Sequence, residues 1–266
     1  MNRRLLLLPR LLAFLPALAV AVRIELLRQN SPGVSRCIPG IRSLQQENTV
    51  TTSSGRLTPS EAAAEGFVTL QHEEIWLHQL SEMAPQAVAL ASDSGSEAVI
   101  AYSLTVSPST LRRDRRPESR ELCTIYEPFF SMIESLQWRG AALTEADYVL
   151  GGQCCVAKSY RRQGLMTALY DAQAAALAQT GVSAIATAID LANVPSVRAH
   201  MAAGFVEIGR FDYSLRPSEV GDDAAVGDHG SSATSTCSIV DSEPSEPGNM
   251  SSKGWSLVLR PTNSQL

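Results

Sequence analysis

The chain has 266 residues, 44% of them apolar, enough to bury one sizeable core and leaving two domains possible. Its net charge of −5 weighs weakly against a nucleic-acid partner, but the charge is unevenly spread. Residues 217–252 hold seven acids and no Lys or Arg; removing those seven from −5 leaves +2, so the overall balance decides little about partners.

The five cysteines (Cys37, Cys123, Cys154, Cys155 and Cys237) form no CxxC pair and no ligand-like spacing, which argues against a zinc site. They read as small buried residues in a reducing compartment. The N-terminus, MNRRLLLLPRLLAFLPALAVAVR, sets Arg3, Arg4 and Arg10 against an apolar run at 11–22, with no acid before Glu25. Ala19-Val20-Ala21 resembles a secretory cleavage site, whereas Arg10 interrupts the run and 11–22 is too short to span a bilayer as a helix. Residues 1–21 therefore carry three readings: a secretory signal or anchor, an organellar transit peptide, or a start site placed too early. The cysteines favour an interior location, cytoplasmic or within a mitochondrion or plastid. Membrane contact is expected only through residues 1–22.

Beyond that segment the pattern gives a strand at 22–29, a short helix at 41–48 and a polar loop at 49–56. Thr58-Pro59-Ser60-Glu61 is a capping-box helix start, and a helix follows at 73–83. Apolar runs at 87–91 and 98–106, joined through Gly95, predict a hairpin. LRRDRRPESRE (111–121) has two readings, a basic patch for phosphates or a solvated loop; the interspersed acids favour the loop. A helix is expected at 127–137, with Pro128 in its first turn. Strands at 148–157, 182–189 and 205–213 alternate with helices from 165 and at 195–203. The segment 217–252 is too acidic and Ser-rich to order itself, yet GWSLVL at 254–259 is strand-like. That makes 217–252 an insertion within a final hairpin, so 205–213 and 254–260 should pair.

The chemistry centres on SYRRQGLMTALYD (159–171), which reads as strand, basic turn, helix. The helix stripe is expected on Leu165, Ala168, Leu169, Ala172 and Ala176, with Leu177 beside it. A turn that opens a helix exposes unpaired N–H groups and, with the helix dipole, makes an anion site. Gly164 lets a ligand approach the backbone, and Arg161 and Arg162 add charge, so a pyrophosphate is the natural guest. GxxxxGK[ST] is absent, and Gly151-Gly152 lie within a strand rather than in a GxGxxG turn.

CCVAKSYRRQGLMTALYDAQ, followed by DLANVPSVRAHMAAGFVEIGRF, resembles the GNAT superfamily of N-acetyltransferases, most specifically from 154 to 211 and more loosely over 22–260. GFVTLQHEEIWLHQLSEMAPQAVAL and GGQCCVAKSYRRQGLMTALYD are similar to one subgroup of that superfamily, without supplying a substrate. The resemblance implies an α/β fold: a twisted, mixed, mainly antiparallel seven-stranded sheet with helices on both faces, in one domain over 22–260. It implies a splay between strands 148–157 and 182–189, where acetyl-CoA enters.

Residue by residue, the family pattern [QR]-x-x-G-x-[GA] falls on Arg161, Arg162, Gln163, Gly164, Leu165 and Met166, whose amides would cradle the acetyl-CoA pyrophosphate. Met166 departs from the usual small residue. Cys155 and Val156 would pair through backbone groups with the pantetheine arm and polarise the thioester carbonyl. Asn193 matches the cofactor-bonding Asn of the family, with Ser196 in the next helical turn. His200 stands where many members carry the Tyr that protonates the departing thiolate, and is the candidate general acid.

No base is evident. Glu73 is one candidate, Tyr148 and Gln153 are candidates to position a water, and His72, His78 and His229 read as structural or inert. The implied function is acetyl transfer from acetyl-CoA to a primary amine of a small molecule or polypeptide, with no metal. The alternative is a GNAT-like module that holds acyl-CoA as a sensor or scaffold without turnover.

Overall fold

The computed structural model describes residues 21–49, 64, 66–93, 96–212 and 254–262. The leader readings of residues 1–20, the helix start at Thr58, His229 and the acidic stretch 217–252 lie outside the described residues.

Nine strands and six helices are described: β1 (Ala21–Leu27), α1 (Gly33–Asn48), α2 (Glu74–Met83), β2 (Gln86–Asp93), β3 (Ser96–Val106), α3 (Pro108–Arg113), α4 (Pro117–Glu134), β4 (Gln137–Trp138), β5 (Ala141–Ala142), β6 (Tyr148–Val156), α5 (Leu165–Ala178), β7 (Ala184–Asp190), α6 (Val194–Ala202), β8 (Val206–Asp212) and β9 (Gly254–Pro261). Seven strands form one twisted sheet in the order β1-β2-β3-β6-β7-β9-β8. Every neighbouring pair is antiparallel except β6 and β7. β8 and β9 pair from Val206↔Leu259 to Asp212↔Gly254, and β9 also pairs with β7.

Alternation along the strands sorts the core. Val88, Leu90, Tyr102 and Leu104 pack with α1, α2 and α4 on one face. On the other, Ala87, Ala89, Ala91 and Ala101 leave room for Leu169 of α5 to pack close to the sheet. Strand β6 changes its alternation part-way. Thr105 pairs with Gly151 and Leu104 with Gln153, so Gly152 is an extra residue, a β-bulge. Gln153 and Cys155 therefore face the α1 side with Tyr148 and Leu150, while Cys154 faces α5. A Cβ on Gly152 would lie 3.1 Å from the Tyr126 hydroxyl, so the bulge needs this glycine for close approach.

Three sequence expectations are corrected. Helix α1 begins at Gly33, eight residues before the expected 41, and runs through Pro39. Val34, Cys37, Ile38, Ile41 and Leu44 are buried at helical spacing, and their packing outweighs the one hydrogen bond that proline forgoes. Gly40 lets the helix lie against Val99, 2.7 Å from where a Cβ would stand.

The segment 111–121 is neither a loop nor a phosphate patch. Ser107 caps α3 by accepting from the Thr110 amide at 3.3 Å, and Pro117 opens α4, which carries Pro128 in its interior rather than its first turn. Two of its arginines are held in ion pairs: Arg112 pairs with Glu127, Glu134 and Glu145 at 2.6, 2.8 and 3.1 Å, and Arg116 with Asp114 and Glu82. In α5 Leu169, Ala176 and Leu177 are buried as expected, but Tyr170, Gln173 and Ala174 complete the stripe, while Leu165, Ala168 and Ala172 are only half-buried.

Candidate functional site

The site starts where β6 and β7 part. They pair only over Tyr148↔Ala184, Val149↔Ile185 and Leu150↔Ala186. Beyond Gly151, whose carbonyl accepts from the Thr187 hydroxyl at 2.7 Å, no strand among the described residues pairs with this edge of β6. The bulge at Gly152 bends β6 at this point, so the fork follows from one glycine and a short parallel ladder.

At the far end of β6 the chain makes a single 3₁₀ turn (158–160) and enters α5 through Gly164, at φ 77°. Arg162, at φ 63°, is also left-handed. Nothing lies within 4 Å of a Cβ built on Gly164, so the first amides of α5 face open space. The Ala168 amide is the first to find a helical acceptor, the Gly164 carbonyl. A cleft of about 610 Å³ runs from this turn to the fork, between α5 and α6. Cys155, Val156, Arg161, Arg162, Gly164, Leu165 and Met166 line it, as do Asn193, Ser196 and His200. Gln163 is exposed beside it, its amide donating to the Ser159 carbonyl at 3.3 Å.

The charge at the turn is distributed differently from the expectation. Arg161 donates to the Val156 carbonyl at 3.0 Å and to Asn48 Oδ1 at 2.6 Å, so it ties the turn to β6 and α1. Arg162 remains on the cleft wall and is joined by Arg198 from α6, which sequence reasoning missed.

Asn193 is likewise committed within the protein. Its Oδ1 caps α6 by accepting from the Ser196 amide at 3.3 Å, and its Nδ2 donates to the Phe67 carbonyl at 2.9 Å. That second bond holds a strap, residues 66–72, across the fork. Val68 joins the strap to Asn48 through the backbone at 3.0 Å, and Gln153 Nε2 holds Leu70 at 2.8 Å.

A second, smaller cavity of about 80 Å³ opens under the strap, bounded by Gly151, Gly152, Cys154, Tyr170, Thr187 and Asp190. The two cavities share Phe67, Val68, Cys154, Asn193, Ser196 and His200. His200 therefore stands at their junction. Its Nδ1 lies 2.8 Å from the Ser196 carbonyl, which only accepts, so Nδ1 carries the proton. Its Nε2 then accepts from the Tyr170 hydroxyl at 3.1 Å. Phe205 packs edge-on against both rings.

Burial lowers the His200 pKa to about 4. Near neutrality the ring is therefore an imidazole whose Nε2 lone pair faces Tyr170.

On the other face, Gln45 organises a buried network whose members lie far apart in the chain. Its Oε1 accepts from the His72 amide at 2.9 Å, and its Nε2 donates to His72 Nδ1 at 2.9 Å and to Gln153 Oε1 at 2.8 Å. His72 is thereby fixed with its proton on Nε2, 2.7 Å from the Tyr126 hydroxyl. Tyr102 also donates to Gln153 Oε1, at 2.5 Å. Among the candidates for base-related roles, Gln153 is held by these bonds, Tyr148 donates to Glu134 at 3.2 Å below the fork, and Glu73 precedes α2 at the surface. No group of three His, Cys, Asp or Glu able to hold a metal occurs among the described residues. No described helix is long and apolar enough to cross a membrane.

The acetyltransferase (GNAT) family matches residues 130–205, from α4 through the fork, the basic turn and α6. No curated protein matches this chain. Among solved structures it is similar to the ribosomal-protein-S18-alanine N-acetyltransferase of Escherichia coli, at 12% identity over 92% of this chain and 99% of that one, TM-score 0.44. It is also similar to a phosphinothricin acetyltransferase from Sinorhizobium meliloti, solved in complex with AcCoA, at 16% identity over 92% and 89%, TM-score 0.44. An N-acetyltransferase from Staphylococcus aureus Mu50 matches at 10% identity over 91% and 99%, TM-score 0.46. At these identities and scores none of them specifies what this chain acts on.

The two buried histidines make the protein's stability pH-dependent. Burial holds both His72 and His200 near pKa 4, below the ordinary value of about 6.5. Between those values the unfolded chain binds more protons than the folded one, so stability is full above about pH 6.5 and falls as pH drops toward 4. Each histidine contributes a loss on the order of 2 kcal/mol by pH 5. Urea midpoints taken at pH 7 and pH 5 are expected to separate accordingly, and His200→Gln to remove about half of that slope. A midpoint that does not move between the two pH values would contradict the buried neutral state of both rings.

Proposed function

We propose that the chain is an acetyl-CoA-dependent N-acetyltransferase that acts on a primary amine of a small molecule or polypeptide. The observation that carries this reading is a single cleft joining an anion-accepting helix start to an open strand edge. The residues fit the cosubstrate: the Gly164, Leu165 and Met166 amides, with Arg162 and Gln163 beside them, suit a pyrophosphate, and the vacant space over Gly164 admits one. Arg198 adds a second positive wall. The free edge of β6 at Cys155 and Val156 offers backbone groups to an extended amide-bearing arm.

When bound, acetyl-CoA supplies an activated acetyl thioester; the protein binds, orients and moves protons. Arg161 and Asn193 act by positioning, one fixing the turn and the other fixing the strap and the start of α6, where Ser196 lines the cleft. Cys155 is no nucleophile in this reading, since burial pushes its thiol up to about 12; the neighbouring Cys154 thiol is also pushed up by burial. The amine attacks directly, in the small cavity under the strap.

The test is free CoA thiol released by the full chain from acetyl-CoA, with and without a panel of primary amines that includes polyamines and short peptides, alongside mass detection of the acetylated amine. Amine-dependent release supports the proposal. Saturable acetyl-CoA binding with no release for any amine would favour the alternative, a module that holds acyl-CoA without turnover.

A further inference from the structure

Resting on that function, we propose that Tyr170 and His200 form a two-residue proton relay at the cavity junction, with Tyr170 as the group that meets the amine. The tautomer carries the argument. Because Nδ1 of His200 is committed to the Ser196 carbonyl at 2.8 Å, Nε2 presents a lone pair to Tyr170 at 3.1 Å. The Tyr170 proton therefore points along the pair, and the other side-chain neighbours of its oxygen are the Ser103 hydroxyl and the Cys154 thiol, beside the small cavity that Tyr170 lines. Phe205, with ring centroids 4.8 Å from Tyr170 and 5.1 Å from His200, holds both in register.

The ionisable groups nearest Tyr170 are the Cys154 thiol and Arg260, itself paired with Asp171; both Tyr170 and Cys154 are kept neutral by burial. His200 is thus the proton acceptor within reach of the Tyr170 hydroxyl.

The proton count closes. As the amine nitrogen bonds to the acetyl carbon, it gives one proton to Tyr170 Oη, which passes its own to His200 Nε2. The carbon–sulfur bond breaks, and the sulfur leaves with the electron pair. His200 then returns its proton to Tyr170, and Tyr170 gives one to the thiolate, restoring the starting tautomers. The same pair serves as base and then as acid, which accounts for a site where no carboxylate base was found by sequence reasoning. Ser196 stabilises the transient imidazolium by accepting from Nδ1 throughout.

Tyr170→Phe and His200→Gln test this. Gln still offers an oxygen to Tyr170 but takes up no proton. Both variants are expected to bind acetyl-CoA within about threefold of the parent by calorimetry, while amine-dependent CoA release falls at least about 100-fold in kcat. The parent should show a solvent deuterium isotope effect on kcat that both variants lose.

Nitrogen-15 NMR of the unliganded parent should find Nδ1 protonated and Nε2 bare, with the Nε2 resonance moving in Tyr170→Phe. Turnover retained in either variant, or a parent tautomer protonated on Nε2, would overturn the relay while leaving the acetyltransferase reading intact. A parent that releases no CoA with any amine would overturn both. If one variant fails to fold, the other with the NMR tautomer decides.

Discussion

Gly164→Glu is expected to abolish acetyl-CoA binding while leaving a folded chain. The backbone at Gly164 sits at φ 77° and ψ 5°, where a side chain costs about 1 kcal/mol. The space around the new Cβ is empty, so no clash adds to that cost. A glutamate at this helix start also gains about 0.3–1 kcal/mol from the unpaired amides and the dipole, which offsets much of the strain. Those same amides are the ones a pyrophosphate would occupy. The variant carries its own anion into the site, and affinity should fall at least about 100-fold, or about 2.7 kcal/mol. Circular dichroism and urea midpoint establish folding, and calorimetry reads the affinity. Unchanged affinity in a folded variant would remove the turn from the binding site.

Gln45→Ala is expected to cost about 4 kcal/mol of stability, the largest loss from any single polar side chain described above. Gln45 is 1% exposed and serves three partners. Truncation leaves the His72 amide and His72 Nδ1 without partners and removes one of two donors from Gln153 Oε1. Each buried group left unsatisfied costs about 1–3 kcal/mol. For a domain of this size that is a fall in melting temperature on the order of 10 °C. The effect also reaches the site, because Gln153 holds the strap at Leu70. A loss below about 1 kcal/mol would mean that the network is not closed as described.

The sequence disclosed most where function is carried by backbone and periodicity. SYRRQGLM marked the helix start because a left-handed glycine and a helix dipole are local properties, and the strand return at 254–259 was visible as an apolar run after a polar one. It disclosed less where packing overrides local preference. Pro39 and Gly40 look like breakers, yet five buried side chains continue α1 through them. LRRDRRPESRE looks solvated, yet Glu127, Glu134 and Glu145, distant in sequence, turn Arg112 into an internal clasp.

The site itself was half legible. The basic turn at Arg161, Arg162 and Gly164 was readable from local pattern, whereas Cys155, Val156, Asn193 and Ser196 were named only through the family resemblance; the structure lines one cleft with all of them. The side-chain commitments of Arg161 and Asn193 depend on Asn48 and Phe67, more than a hundred residues away, and no local signal reports them. Tyr170 was overlooked for the same reason. It lies in a helix read as an apolar stripe, and its significance comes only from His200, thirty residues later.

Calorimetric titration of the full chain with acetyl-CoA tests the central reading most directly. One saturable site per chain, competed by free CoA, is expected, together with about 2.7 kcal/mol of added stability at a ligand concentration 100 times Kd. No heat, and no change in melting temperature at millimolar acetyl-CoA, would contradict it.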